Sequence, residues 1–401
     1  MTSDHSIIQT AEFVIKVLEQ GKKTATYKQA VLLAILDIVA AGAAAPIPRG
    51  ARVAITTREI AERVIEIYWR QTNPFEPMTD GDPDSAAMRS GSISQPLKQS
   101  TQTVSYVTTI LEHRENLAST LSGRNPSLHR ARTDDSYAAL VKNIEDRVRS
   151  EPLPRLQFVD GALQLALYQL SWKPNVDKLN WTDEICVPLS FPLIDRQGRV
   201  AVASEQLKRK SFILLQPYVF EAFVKLNALL RSHVMMHWTR QVTSLNNLDH
   251  SGVEQHLFGQ SRANLRALVA PLMLLQDRHC FYCERRLNEN SHVDHFLPWV
   301  RTWDDGVHNL VLAHAECNGS KSDYLAAPVH LKKWRQRNVE GSSGLIDIAR
   351  VDGFQTVFEP DRAINLARAA YQISGDQALL WTSGTTLVRA ETAAIQTALA
   401  G

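Results

Sequence analysis

The residues Cys280-Phe-Tyr-Cys283, His292-Val-Asp294-His295-Phe-Leu-Pro298, His308-Asn309-Leu-Val-Leu and His314-Ala-Glu-Cys317-Asn318-Gly-Ser-Lys321-Ser-Asp323 decide how this chain is read. Two short-spaced ligand pairs bracket an Asp-His pair, and an Asn directly follows the last Cys. Zinc takes four soft or borderline ligands in a tetrahedron, commonly as pairs close enough for one turn to present both. Cys280 and Cys283 form one such pair, and His314 and Cys317 form the other. A Cys3His set is therefore complete within the stretch. His279 is the rival for the fourth place, because Cys is the commoner partner where His314 stands.

The rest of the composition bounds the class. The chain has 401 residues, enough for two or three domains. An apolar fraction of 44% with 21% charged residues is ordinary for a globular protein. A net charge of +2 argues neither for nor against nucleic acid, so any such footprint must be local. Of only four Cys, three fall in the quoted stretch and Cys186 stands alone. That is metal-site usage in a reducing compartment, not a disulfide framework. The opening Met-Thr-Ser-Asp-His has no signal-peptide pattern, and Asp37 interrupts the longest apolar run, Ala30 to Pro46. The expectation is a cytoplasmic protein with no membrane association.

Periodicity predicts a mainly α chain with small β elements, an α+β class. Helices are expected through residues 5–75, among them Tyr27 to Ala41 and a helix capped by Thr56 or Thr57 that ends at Asn73-Pro74. Met78 to Thr103 reads as a loop and Val104 to His113 as a helix. Glu115 to Ser136 reads as polar loop with basic residues at Arg124 to Arg132, whose expected place is a solvated face, contact with phosphate being the alternative. Asp135 to Val148 is helical; Glu184 to Leu189 and Val200 to Val202 read as strands around a turn at Asp195 to Gly198. Long helices follow at Tyr218 to about Leu245 and Val253 to Gln276, the first with core-facing aromatics. Arg362 to Tyr371 and Glu391 to Leu399 look helical. The expected organisation is a helical N-terminal region, 1–130, for target or partner recognition. An α+β middle region, 131–250, precedes the ligand-rich module at 251–340 and a C-terminal packing segment at 341–401.

A zinc ribbon has no use for Asp294-His295 followed by Phe296-Leu297-Pro298. Together with Asn309-Leu310, His314-x-x-Cys317-Asn318 and Lys321, the module resembles the HNH endonuclease family, in its zinc-stapled type. The resemblance covers about 50 residues. His314 departs from it, since many members have Cys there. It implies a ββα-metal fold that hydrolyses phosphodiesters. His295 would be the general base, which must be neutral to accept a proton. Asp294 and Asn318 would hold magnesium or manganese through hard oxygen donors. Asn309 would brace the loop between the strands, and Lys321 would hold a phosphate oxygen. Cys280, Cys283, His314 and Cys317 would bind structural zinc. For His292 and His308, metal, phosphate and structural roles stay open. The basic run Lys332, Lys333, Arg335 and Arg337 is a candidate strip for the DNA backbone.

The implied function is a metal-dependent endonuclease acting on DNA, of the prokaryotic restriction or anti-phage type. A homodimer or a defence-system protein would be its partner. The alternatives are a zinc-stabilised nucleic-acid-binding protein without catalysis and an RNA-cleaving toxin using the same site. A helix-turn-helix reader in the N-terminal region competes with a plain helical scaffold.

Overall fold

The computed structural model describes residues 3–20, 24–45, 47–48, 50–75, 95–121, 125–173, 186–189, 210–248, 252–259, 262–354 and 356–400. Among them the protein is mainly α with small sheets, the expected α+β class. No helix among them is long and apolar enough to cross a membrane. The chain divides into two compact units, Met1–Glu115 with Asp135–Gly259, and Asn116–Asp134 with Gln260–Gly401.

In the first unit the helix Tyr27–Gly42 is buried along most of its length. Asp37, which breaks its apolar run, pairs with the buried Arg231. A partner is what makes a charge tolerable in a core, since an unpaired one costs several kcal/mol. Of the two candidate caps, Thr56 begins the helix Thr57–Gln71. Its hydroxyl accepts from Glu59 N at 3.3 Å, while Glu59 Oε2 accepts from Thr56 N at 3.0 Å. Ile60, Val64, Ile65 and Tyr68 of this helix are buried, and it packs on the helix Tyr137–Ser150.

Residues 5–75 are not all helix or turn. Arg52–Thr56 is a strand, an inner member of a four-stranded sheet. It runs antiparallel to Phe212–Leu215 and parallel to Cys186–Pro188, and Tyr168–Leu170 lies on the far side of Phe212–Leu215. Five buried residues containing Val53, Ile55 and Thr56 are too few for a helix and suit a strand covered on both faces. Cys186–Pro188 lies within the expected strand at 184–189. The expected strand at 200–202, the turn at 195–198 and residues 78–94 of the expected loop lie outside the described residues.

The long helices are shorter than their periodicity suggests. Tyr218 to Leu245 is two helices, Val219–Lys225 and Asn227–Asn246. Trp238 of the second is fully buried, and its indole donates to Gln99 Oε1 at 2.8 Å. Val253 to Gln276 is three pieces, Val253–Phe258, Arg262–Ala267 and Val269–Leu275. Extended backbone at Gly259 ends the first. Pro271 has no N–H for the Ala267 carbonyl, which separates the second from the third. The helix read at 104–113 instead runs Tyr106–Thr120.

The second unit is built on a hairpin. Ser291–His295 pairs antiparallel with Leu310–His314, placing Asp294 opposite Val311 and His295 opposite Leu310. The helix Ala315–Lys321 follows directly. Leu268, Leu272, Val307, Leu310, Leu312, Leu345 and Ile348 form the core beside it. The C-terminal segment packs on this module: Ala327 N donates to Trp381 O at 2.7 Å and Tyr371 Oη to Ala326 O at 2.6 Å. The stretch 116–134 contributes a short helix, Leu128–Ala131. Ser127 Oγ donates to Ala349 O at 2.8 Å, and Arg130 and Arg132 pair with Asp352 and Glu359. These two arginines are half-spent inside the unit, not on a purely solvated face.

Replacing the cap, Thr56→Ala, removes the acceptor for Glu59 N. The first unit should lose about 1 kcal/mol, read as a lower midpoint in denaturant with an unchanged slope. Wild-type stability in the variant would contradict the capping box.

Candidate active site

The turn that carries the first ligand pair is set by backbone that doubles back. Asp277, Arg278 and Glu284 have positive φ, Cys280 N donates to Arg285 O at 2.9 Å, and Glu284 N to Cys280 O at 3.0 Å. Phe281 N donates to Leu312 O at 3.0 Å, which ties the turn to the second hairpin strand. That strand ends at His314, which caps the helix holding Cys317. The ligand atoms of Cys280, Cys283, His314 and Cys317 all lie within 4.8 Å of one another. Cys283 Sγ is 3.3 Å from His314 Nδ1, and His314 Nε2 donates to Arg286 O at 2.9 Å. That second bond fixes the tautomer whose Nδ1 lone pair faces the thiols, as metal-ligating histidines require. His279 lies outside the group and is half exposed, so among the described residues His314 is the fourth member.

The donors fit zinc. Bonds of about 2.3 Å in a tetrahedron space their ligand atoms by roughly 3.8 Å, close to what is seen. Burial, with Cys280 and Cys283 beside it, pushes the Cys317 thiol up to about 12. Against desolvation, hydrogen bonds from Arg285, Cys280 and His314 draw Cys283 down to about 6. Clustered thiols cannot all ionise without a dication among them.

Asp294 and His295 are neighbours on the first strand and project to opposite faces. Asp294 is 8% exposed. Its Oδ2 accepts from Tyr282 Oη at 2.5 Å and lies 3.1 Å from Lys321 Nζ. No hydrogen bond reaches its Oδ1 among the described residues. Burial and the adjacent Asp294 carboxylate push the Tyr282 phenol well above its usual range, so it stays a donor. His295 Nε2 donates to Asp305 Oδ1 at 2.8 Å. A neutral imidazole so held carries its lone pair on Nδ1. The Asn318 amide, half-buried on the closing helix, makes no hydrogen bond among the described residues.

Asn309 is fully buried and spends its whole amide on the loop between the strands. Oδ1 accepts from Leu297 N at 2.8 Å, and Nδ2 donates to Leu297 O at 3.0 Å and Asp304 O at 2.9 Å. His308 is also fully buried, donating to Asp304 Oδ2 at 2.8 Å and accepting from Glu359 N at 2.9 Å. Its place is structural. Against complete desolvation, His308, Arg362 and the Gly306 N–H hold the Asp304 carboxyl down to about 2. His292 is exposed.

Several basic residues are not where their sequence suggested. Lys321 is fully buried, and its ammonium is committed to Asp294 and to His295 O at 2.9 Å. It is not placed to hold a phosphate. The run 332–337 is not a single strip. Lys333 donates to Phe281 O and Glu284 Oε1, Arg337 to Leu310 O and His308 O, and Arg335 to Ala400 O. Only Lys332 of the four is exposed. They lie on the helix Pro328–Val339, and carbonyls of the module accept from Lys333 and Arg337.

Two residues of the site escaped sequence reasoning. Asp305 sits in Asp304-Asp305-Gly306, which reads as a turn. Its distance of ten residues from His295 gives no signal without the loop's path. Tyr282 hides between two cysteines as an apolar-looking spacer.

Residues 280–327 match the HNH endonuclease family, and the Cys3His group fits the zinc-stapled form of that module. Residues 8–160 match a family described as a domain of unknown function (DUF8808). No curated protein and no solved structure gives a match.

Elemental analysis should find about one zinc per chain. His314→Ala and Cys317→Ser should lose it, whereas His279→Ala should keep it. A zinc-free chain with the module folded would refute the Cys3His site. Separately, Asp304→Ala leaves His308 and Arg362 without their buried anion. It should destabilise the second unit by about 3–5 kcal/mol, seen as a lowered unfolding midpoint of that unit.

Proposed function

We propose that this protein is a metal-dependent endonuclease that hydrolyses phosphodiester bonds of DNA, serving restriction or anti-phage defence in a prokaryotic cytoplasm. The observation that carries the reading is His295 held through Nε2 by Asp305, next in sequence to a carboxylate with one oxygen uncommitted. In this reading Nδ1 of His295 takes the proton from the attacking water. The water oxygen bonds to phosphorus, the bond from phosphorus to the 3′-oxygen breaks, and the leaving oxygen acquires a proton from solvent. Asp305 orients the imidazole and favours the cation that forms on it. Asp294 and Asn318 would hold magnesium or manganese, oxygen donors suited to a hard cation. When bound, that cation supplies charge stabilisation at the leaving oxygen. Asn309 keeps the base in place through the loop and touches no substrate. Zinc at Cys280, Cys283, His314 and Cys317 is structural.

The first unit selects the target or a partner, and a second copy of the chain is a candidate partner. A zinc-stabilised binder without catalysis has no use for an imidazole paired with Asp305 beside an open carboxylate, which favours the nuclease reading.

Supercoiled plasmid should be nicked or cut with added magnesium or manganese and left intact in mild EDTA that spares zinc. His295→Ala should slow cleavage on the order of 100- to 10,000-fold with zinc retained. Asp305→Ala should slow it less. Asp294→Ala and Asn318→Ala should lose the response to metal. Cutting by His295→Ala at the wild-type rate would place the base elsewhere, and cleavage of RNA but not of plasmid would replace DNA as substrate. Phage should plate less efficiently on cells expressing wild type than on cells expressing His295→Ala; equal plating would remove the defence role.

A further inference from the structure

Tyr282 stands between the two cysteines of the first ligand pair, yet its side chain serves the other end of the module. It is buried at 6% exposure, and its ring lies against Trp381 at 5.1 Å and His330 at 5.4 Å. Its hydroxyl donates to Asp294 Oδ2 at 2.5 Å. Lys321, fully buried, approaches the same oxygen at 3.1 Å and donates to the carbonyl of His295 at 2.9 Å. Both donors converge on one oxygen, and the other is left without a partner among the described residues.

We infer that Tyr282 is a positioning residue that couples the zinc knuckle to the divalent-cation site, by clamping Oδ2 of Asp294 so that Oδ1 is the ligating oxygen. The inference rests on the reading of Asp294 as a cation ligand. Rotation of a carboxylate about its last bond is soft and roughly two-fold. A free carboxylate must lose that motion when a cation binds. The Lys321 ammonium attracts the carboxylate as a compact charge with rotatable donors. The phenol supplies one directed hydrogen bond from a ring that packing has already fixed. The backbone position of Tyr282 is set in turn by Cys280, two residues before it, and Cys283, directly after it. While both sulfurs share one zinc, the phenol cannot drift from Asp294. Outer-shell partners of this kind typically contribute 10- to 100-fold to metal affinity.

The test uses the full-length chain with zinc bound and reads cation binding without substrate. Free manganese is followed by its EPR signal during titration into wild type, Tyr282→Phe and His295→Ala, with zinc content and unfolding midpoint measured on each. The expected result for Tyr282→Phe is one retained zinc and a manganese Kd raised about 10- to 100-fold. Its cleavage should recover as manganese is raised, which His295→Ala cannot do. An unchanged or tighter manganese Kd in Tyr282→Phe, with wild-type zinc, overturns the inference and leaves the nuclease reading standing. Loss of zinc by Tyr282→Phe also overturns it, because the phenol would then serve the fold of the knuckle. Wild type that binds no manganese overturns both the inference and the assignment of Asp294 as a ligand.

Discussion

The register of one antiparallel pair, Ser291–His295 against Leu310–His314, governs everything else in the module. Side chains alternate faces along a strand, so a slip by one residue would send every side chain to the opposite face. Asp294 would leave Tyr282 and Lys321, and His295 would leave Asp305. His314, which closes the pair opposite Ser291, would leave the three thiols. The register is pinned at the loop end by Asn309, whose amide satisfies both the N–H and the carbonyl of Leu297. Phe296 N adds a bond to Asn309 O at 2.7 Å. At the other end the Cys3His cluster joins the strand to the knuckle. A short hairpin has little pairing energy of its own, and these two end restraints with the core around Leu310 and Leu312 supply the rest.

What could be read from sequence follows a physical division. Ligand pairs at short spacing are local, so Cys280, Cys283, His314 and Cys317 were legible together, and the geometry decided between His314 and His279. The Asp-His pair and Asn309 were legible as an ordered pattern. Helix existence was legible from periodicity, as at Tyr27–Gly42 and Pro360–Ser374. Helix continuity was not, because the breaks at Leu226 and Leu268 leave the apolar period intact across them. The strand Arg52–Thr56 was hidden because five residues buried without alternation, only Val53, Ala54 and Ile55 of them apolar, have no period to betray them. Asp305 was missed because its partner is reached through space.

Charge was the least legible feature. Lys321, Lys333, Arg335 and Arg337 look alike in sequence, and none is freely solvated. A buried carbonyl must find a donor, and the turn Val307–Asn309 leaves carbonyls that no strand partner takes. The carbonyl of His308 receives Trp334 Nε1 at 2.8 Å, Arg337 Nη2 at 2.7 Å and Asn338 Nδ2 at 3.0 Å. The helix Pro328–Val339 thus acts as a clamp on the entry to the second strand. Desolvation lowers the Arg337 guanidinium to about 10, which still leaves it a cation and a donor. Its positive charge is directed inward at carbonyl dipoles.

The adjacent carboxylates Asp304 and Asp305 leave one loop in different directions. Asp304 turns into the core, where it accepts from Gly306 N at 3.1 Å and from His308. Asp305 turns toward His295. The backbone around them is tied to the C-terminal segment: Thr356 Oγ1 donates to Asp305 O at 3.1 Å and Val307 N to Val357 O at 2.9 Å. Glu359 N meets the second ring nitrogen of His308. Residues far beyond the family match, 356–359, therefore fix the loop that presents Asp305 to His295. The C-terminal segment is part of the module's scaffold for this reason.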